Sequence, residues 1–312
     1  MALTPEALAA RKHVIGSSDA PVVLGADPHR SRLALYLEKV HEIETEQEVT
    51  EPMRLGNRFE GAILEEAAEK LGVRIQRDVT VQGPEPYLAA NLDAVVLRDS
   101  TPAFLALAAL EAKFTGLGHL FGEPGLDSLP DKVLIQTAHQ MGCLLSLELV
   151  HVPVLLARYG RPRVELYVAP RVPNLVEVVM EECRRFWLEH VLPRIPPDPT
   201  PGLEGSALGV LKRIRRQPAT TARVDPALAL AYQEASRQAK EAEGAKEAAQ
   251  AALLAAGGEV EALDFGDAKK LFTYLSYPRA GFDHKQLLRD MPHLAEKYST
   301  LSHYRALKLV NK

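Results

Sequence analysis

Residues 87–114 read YLAANLDAVVLRDSTPAFLALAALEAKF. The first run, through Arg98, has the apolar and β-branched content of a strand and stops at the turn signal DSTP, residues 99–102. The second run, FLALAALEAKF (104–114), is almost wholly apolar until Glu111, the pattern of a central strand or one buried on both faces. A charged pair inside such a run is unexpected unless it faces a cleft. Side chains two apart in a strand share a face, so the Glu111 carboxylate and the Lys113 ammonium address one site. Asp93 is read as the end of the first strand, and a hairpin through DSTP would bring it opposite Glu111. An E-x-K triplet alone says little, because it arises by chance and usually marks a solvated surface or an ion pair. Its setting carries the weight.

Working outward, MRLGNRFEGAILEEAAEKLG (53–72) spaces Leu55, Phe59, Ile63, Leu64 and Ala67 as one face of a helix, with Gly72 as its stop. This helix carries Glu60, and Gly56 would let it approach another backbone closely. Ser31–Val40 has helical spacing, and VRIQRDVTVQ (73–82) alternates as a strand. Downstream, the Gly/Pro-rich loop TGLGHLFGEPGLDSLP (115–130) leads to a helix in DKVLIQTAHQMGCLLSL (131–147). Strands in HVPVLLARYG (151–160) and RVELYVAP (163–170) follow, then a helix around NLVEVVMEECRRFWLEHVL (174–192). This order predicts an α+β (α/β) core, a central mixed sheet flanked by helices. The proline-rich PRIPPDPTPG (193–202) closes it, which divides the chain into residues 1–200 and an extension, 201–312. The extension holds the basic hexamer LKRIRR (211–216), a long Ala/Glu-rich helix from about 225 to 256 that reads as a projecting arm, and a tail with a strand, a short helix and a final ordered segment.

At 312 residues, with 46% hydrophobic and 25% charged residues, the chain can bury a core without disulfides. No run is long and apolar enough to span a bilayer, and the first residues lack a signal peptide's apolar stretch. Cys143 and Cys183 are too few for a four-thiolate zinc or iron–sulfur site and suit a reducing cytoplasm, the expected location. A net charge of -4 excludes nucleic-acid binding by overall charge, though not by a local basic groove.

Two carboxylates and a lysine on neighbouring strands suit phosphodiester hydrolysis. That chemistry needs a hard cation with oxygen ligands, Mg2+ with Mn2+ as a substitute, and the Ala112 carbonyl is a candidate extra ligand. The set Asp93, Glu111, Lys113 is that of a PD-(D/E)xK, restriction-endonuclease-like core. The ordered motifs GSSD (16–19), GNRFE (56–60), NLDA (91–94), LEAK (110–113) and QTAHQM (136–141) resemble the YqaJ-type recombination nucleases of phages, relatives of the lambda exonuclease. The resemblance covers roughly residues 8–190 and, more loosely, the tail around Tyr277–Leu307.

The resemblance implies that Asp93 and Glu111 hold the metal, Lys113 positions the attacking water, and Glu60 completes the carboxylate set. It implies that Arg11 and Ser18, in R-x-x-x-I-x-x-S, bind the 5′ phosphate of a DNA end. Gln136 would touch the phosphate or water, and Asn91 would lie near the same phosphate. It further implies 5′-to-3′ resection of double-stranded DNA ends, a phage single-strand annealing protein as partner, and a homotrimer. The chain departs from the family in Asp93-Ala94, where relatives commonly have Asp-Gly, and in the helical arm, absent from the smallest members.

Plainer readings stand beside these. Glu60 has surface glutamates for neighbours, Asp19 reads as a helix cap, His139 and Trp187 as core residues, and LKRIRR as a solvated face. Rival functions are a RecB-like or Cas4-like nuclease, a restriction endonuclease, and a non-catalytic DNA-binding protein of the same fold. Cas4 proteins usually need four cysteines, and no base-reading element is evident.

Overall fold

The computed structural model describes residues 11–43, 50–97, 107–116, 120–124, 129–158, 161–216, 220–264, 271–278 and 283–298. The DSTP turn and the last segment of the tail lie outside the described residues. The chain divides into two units, Met1–Arg216 and Gln217–Lys312.

The first unit begins with α1 (Ala20–Val23), α2 (Arg32–Val40) and α3 (Glu51–Leu71). Ser31 caps α2 by accepting a hydrogen bond from the Ala34 amide. Gly72 ends α3 in the left-handed conformation, φ 62°, which a Cβ would penalise. Ile63, Leu64 and Ala67 are the buried residues of α3, as the helical spacing predicts, whereas Phe59 sits at the exposed end and meets Phe114 at a ring distance of 5.5 Å.

Next come β1 (Arg74–Gln82), β2 (Ala89–Leu97), β3 (Ala108–Leu110), β4 (Lys113–Phe114), α4 (Asp131–Cys143), β5 (Leu149–Arg158), β6 (Arg161–Pro170) and α5 (Pro173–Phe186). A π-helical turn (Trp187–Val191) and α6 (Gly205–Arg213) complete the unit. α6 thus lies in the first unit, packed against α2. Trp187 is partly buried and stacks on Tyr87 at 5.4 Å.

The sheet is mixed: β1–β2–β3 are antiparallel, β3 and β4 both run parallel to β5, and β6 is antiparallel to β5. β3 is therefore interior, as its apolar run predicts. The pairs Ala108↔Leu149 and Lys113↔Val154 keep one register, and the Glu111 amide donates to the His151 carbonyl at 2.9 Å. Ladder pairing lapses only at Glu111–Ala112, where the side chains turn to the site.

Asp93 lies in the middle of β2, not at its end. Opposite it, Asp78 of β1 adopts φ 55° while the flanking pairs Arg77↔Ala94 and Val79↔Leu92 hold register. Leu92 packs in the main core and Ala94 in a small cluster with Leu64, Ala67 and Leu110, although unbroken alternation would put both on one face. The left-handed Asp78 interrupts the ladder opposite Asp93, so the pleat is irregular at that pair.

In the second unit, α7 (Pro226–Gly257) is a 32-residue helix with no buried residue, in keeping with its modest apolar content. Strands β7 (Ala262–Asp264) and β8 (Leu271–Thr273) pair antiparallel, and α8 (His284–Asp290) and α9 (Pro292–Tyr298) follow. Among the described residues no helix is long and apolar enough to cross a membrane.

Candidate active site

Glu111 is 4% exposed, and three side chains donate to its two oxygens. Lys113 Nζ and Gln136 Nε2 reach Oε1 at 2.7 and 2.6 Å, and Gln140 Nε2 reaches Oε2 at 2.6 Å. Lys113 Nζ also donates to Gln136 Oε1 at 2.9 Å. Asp93 joins through its Oδ2, which accepts the Ala112 amide at 2.8 Å. The i, i+2 geometry of Glu111 and Lys113 and the apposition of Asp93 are thus both present.

Asp93, Glu111, Ala112 and Phe114 line one side of a cleft of about 270 Å³, with Met53, Gly56, Asn57, Glu60 and Ile63 from α3 on the other. Gly56 has a different reason for its place than the close backbone approach expected: a Cβ there would meet nothing within 4 Å. The residue borders open cleft.

Burial pushes the Asp93 carboxyl well above its usual range, and the neighbouring Glu111 carboxylate adds to this. Lys113 and the Ala112 amide oppose the rise, and Glu60 reinforces it. One lysine does not neutralise this group of acids. The charged groups that line the cleft, Glu60, Asp93 and Glu111, all offer carboxylate oxygens, which suits a hard divalent cation. Among the described residues no three His, Cys, Asp or Glu side chains form a ready-made metal cage. Two carboxylates, a backbone carbonyl and water fit magnesium, which keeps part of its hydration shell.

Gln140 escaped the sequence reading. It is fully buried, and its Oε1 has no partner among the described residues. The available signal was spacing, since Gln136 and Gln140 are one helical turn apart and share a face.

Arg11 and Ser18 do come together, Arg11 Nη2 donating to Ser18 Oγ at 3.1 Å. Asn91 lies apart, exposed on β2 and bonded to Thr80 at 3.0 Å. Asp19 corrects the cap reading. It occupies the position before α1, but its carboxylate makes no cap; it binds Lys39 at 2.7 Å, Arg30 at 3.3 Å and the Gly16 amide at 3.2 Å. His139 is a buried core residue, with Nδ1 3.1 Å from Ser17 Oγ. This contact ties the N-terminal segment to the helix that carries Gln136 and Gln140.

An acid on one strand beside E-x-K on the next, in a mixed sheet flanked by helices, defines a PD-(D/E)xK-type core. The chain matches the model of the YqaJ-like viral recombinase domain over residues 7–144. It is 24% identical over 205 residues to the uncharacterized protein YqaJ of Bacillus subtilis (strain 168), a match covering 65% of this chain and 60% of that protein's length. Among solved structures, the alkaline exonuclease of Laribacter hongkongensis is 16% identical with a TM-score of 0.46, covering 60% of this chain and 92% of that one. Its complex with dAMP gives a TM-score of 0.48 at 16% identity, covering 66% and 99%. A phage-related exonuclease from Haemophilus somnus 129PT is 13% identical with a TM-score of 0.33, covering 59% and 81%.

Proposed function

We propose that this protein is a magnesium-dependent exonuclease that resects linear double-stranded DNA from 5′ to 3′ and leaves a 3′ single strand for recombination. One observation carries the reading: Asp93 and Glu111 line one cleft, Lys113 is bonded to Glu111, and the acids carry more negative charge than the lysine balances. Asp93, Glu111 and the Ala112 carbonyl would hold the cation, with Glu60 acting through a bound water. A divalent ion supplies charge neutralisation at the phosphorane and a water of lowered pKa.

The chain's own groups do the rest. Lys113 has three N–H donors, two of them spent on Glu111 and Gln136, which leaves one for the attacking water or the scissile phosphate. Gln136 and Gln140 fix the Glu111 carboxylate in one rotamer, so little reorganisation is needed at the moment of reaction. Arg11 and Ser18 offer a guanidinium and a hydroxyl to the terminal 5′ phosphate, which would set the scissile bond over the acids. Mn2+ should replace Mg2+. A homotrimer, a phage single-strand annealing partner and the host cytoplasm are proposed from the family resemblance and the two buried free cysteines.

The test is digestion of linear duplex with or without a 5′ phosphate, in magnesium or chelator. End-dependent loss that favours the phosphorylated substrate and stops in chelator supports the reading. Cleavage of closed circles would replace it with an endonuclease, and no cleavage with any divalent ion with a binding protein. Arg11→Ala should erase the 5′-phosphate preference while cleavage continues.

A further inference from the structure

The C-terminal end of α2 gathers cations from three distant stretches of the chain. Lys39 Nζ holds the Arg11 carbonyl at 2.7 Å, which brings the N-terminal segment and Lys12 to this end. The bridge Ile43↔Ile214 and the bond from the Arg215 amide to the Glu42 carbonyl at 2.9 Å bring Arg216 there. The π-helical turn packs against α2, and Arg194 follows it. His41 lies among them: burial lowers its pKa, and Arg194, Arg216 and Lys12 lower it further by repulsion.

The carboxylates nearby are already engaged. Glu38 pairs with Arg30 at 2.6 Å and Arg213 at 3.9 Å, and Glu42 pairs with Arg215 at 3.4 Å. Lys12, Arg194 and Arg216 have no ion-pair partner among the described residues, and both arginines are exposed. In a chain of net charge -4, such a cluster raises a local positive potential that favours an added polyanion.

We propose that Lys12, His41, Arg194 and Arg216 form a surface for nucleic-acid backbone phosphates, continuous through Lys12 with the Arg11–Ser18 pair. The inference rests on the nuclease reading and adds a second stretch of backbone contact to it. Neutral His41 donates a ring N–H, the three cations supply charge, and the surface holds DNA without reading its sequence.

The experiment is anisotropy of the full chain with labelled duplex, and separately with single-stranded DNA, in chelator over a range of salt. The double substitution Arg194→Gln, Arg216→Gln keeps the apolar stems, and Lys240→Gln on α7 controls for loss of any surface charge. Unchanged thermal unfolding of the double variant shows that it is folded; single substitutions replace it otherwise. The slope of log affinity against log salt should become shallower by about two for duplex, one per lost phosphate contact. A loss confined to single-stranded DNA supports the surface and assigns it to the displaced strand. A slope equal to that of the wild type or of the control overturns the surface, and if the wild type still digests DNA the nuclease reading stands. Absence of both binding and digestion in the wild type sinks both.

Discussion

Two carboxylates in the first unit, the buried Asp19 and the half-buried Asp93, have opposite surroundings. Asp19 is 4% exposed, yet Lys39 and Arg30 overcome the upward push of burial and hold its pKa well below the usual carboxylate range. At Asp93, burial and Glu111 together drive the pKa up, against one lysine that is already shared with Glu111 and Gln136. The first acid has more positive charge than it needs; the second has less. A satisfied buried ion pair fixes structure, whereas an under-neutralised one leaves room for a cation from solution. Burial alone therefore does not mark a functional acid. The balance of charge around it does.

The comparison can be broken by substitution. Glu111→Gln and Lys113→Ala should each lower DNA hydrolysis by orders of magnitude, on the order of a thousandfold, while binding in chelator remains measurable. Near-normal rates in both would refute the site. Asp19→Asn leaves Lys39 and Arg30 buried without their anion and should cost about 3–5 kcal/mol in denaturant unfolding. Asp93→Asn, which relieves repulsion, should leave stability unchanged or raise it while abolishing activity. Equal destabilisation by the two asparagines would erase the distinction between the acids.

His139 sharpens the contrast along the pH axis. Burial lowers its pKa from 6.5 to about 4, with Asp19 opposing weakly. Between those values the unfolded chain takes up a proton that the folded one refuses. Stability should thus fall as pH drops from about 6.5 to about 4, by on the order of 3 kcal/mol, and then level off for this group. Below the usual carboxylate range the Asp19 pair is lost as well, since its folded pKa is depressed. His139→Gln should flatten the first part of the curve in thermal melts run across pH; an unchanged slope would exclude His139 as its source. The smallest effect is expected at Gln140. Gln140→Leu removes one charge-assisted hydrogen bond, about 1.5–3 kcal/mol, and should weaken catalysis with less change in duplex affinity.

Much of this arrangement was legible in residues 87–114. Glu111 and Lys113 interrupt an apolar run, and period-two geometry alone puts them on one face. The apposition of Asp93 followed from strand order, but its mid-strand position did not. The irregular pair opposite it depends on Asp78, a left-handed residue in the partner strand that no alternation pattern reports. Asp19 was misread because a cap and a buried ion pair look alike from one side of the bond; the answer lay with Lys39 and Arg30, 20 and 11 residues away. Gln140 was hidden because a buried glutamine declares itself only through the carboxylate it meets. α6 looked like part of the extension because prolines precede it, yet buried Ala207, Val210 and Ile214 hold it in the first unit.

The central claim is that the surplus negative charge at Asp93 and Glu111 holds a divalent ion. Calorimetric titration of Mg2+ into the metal-free full chain tests it directly, alongside Asp93→Asn and Asp19→Asn. The account predicts heat of binding for the wild type, none for Asp93→Asn, and wild-type binding by whatever fraction of Asp19→Asn is folded. Equal binding by the wild type and Asp93→Asn would contradict it.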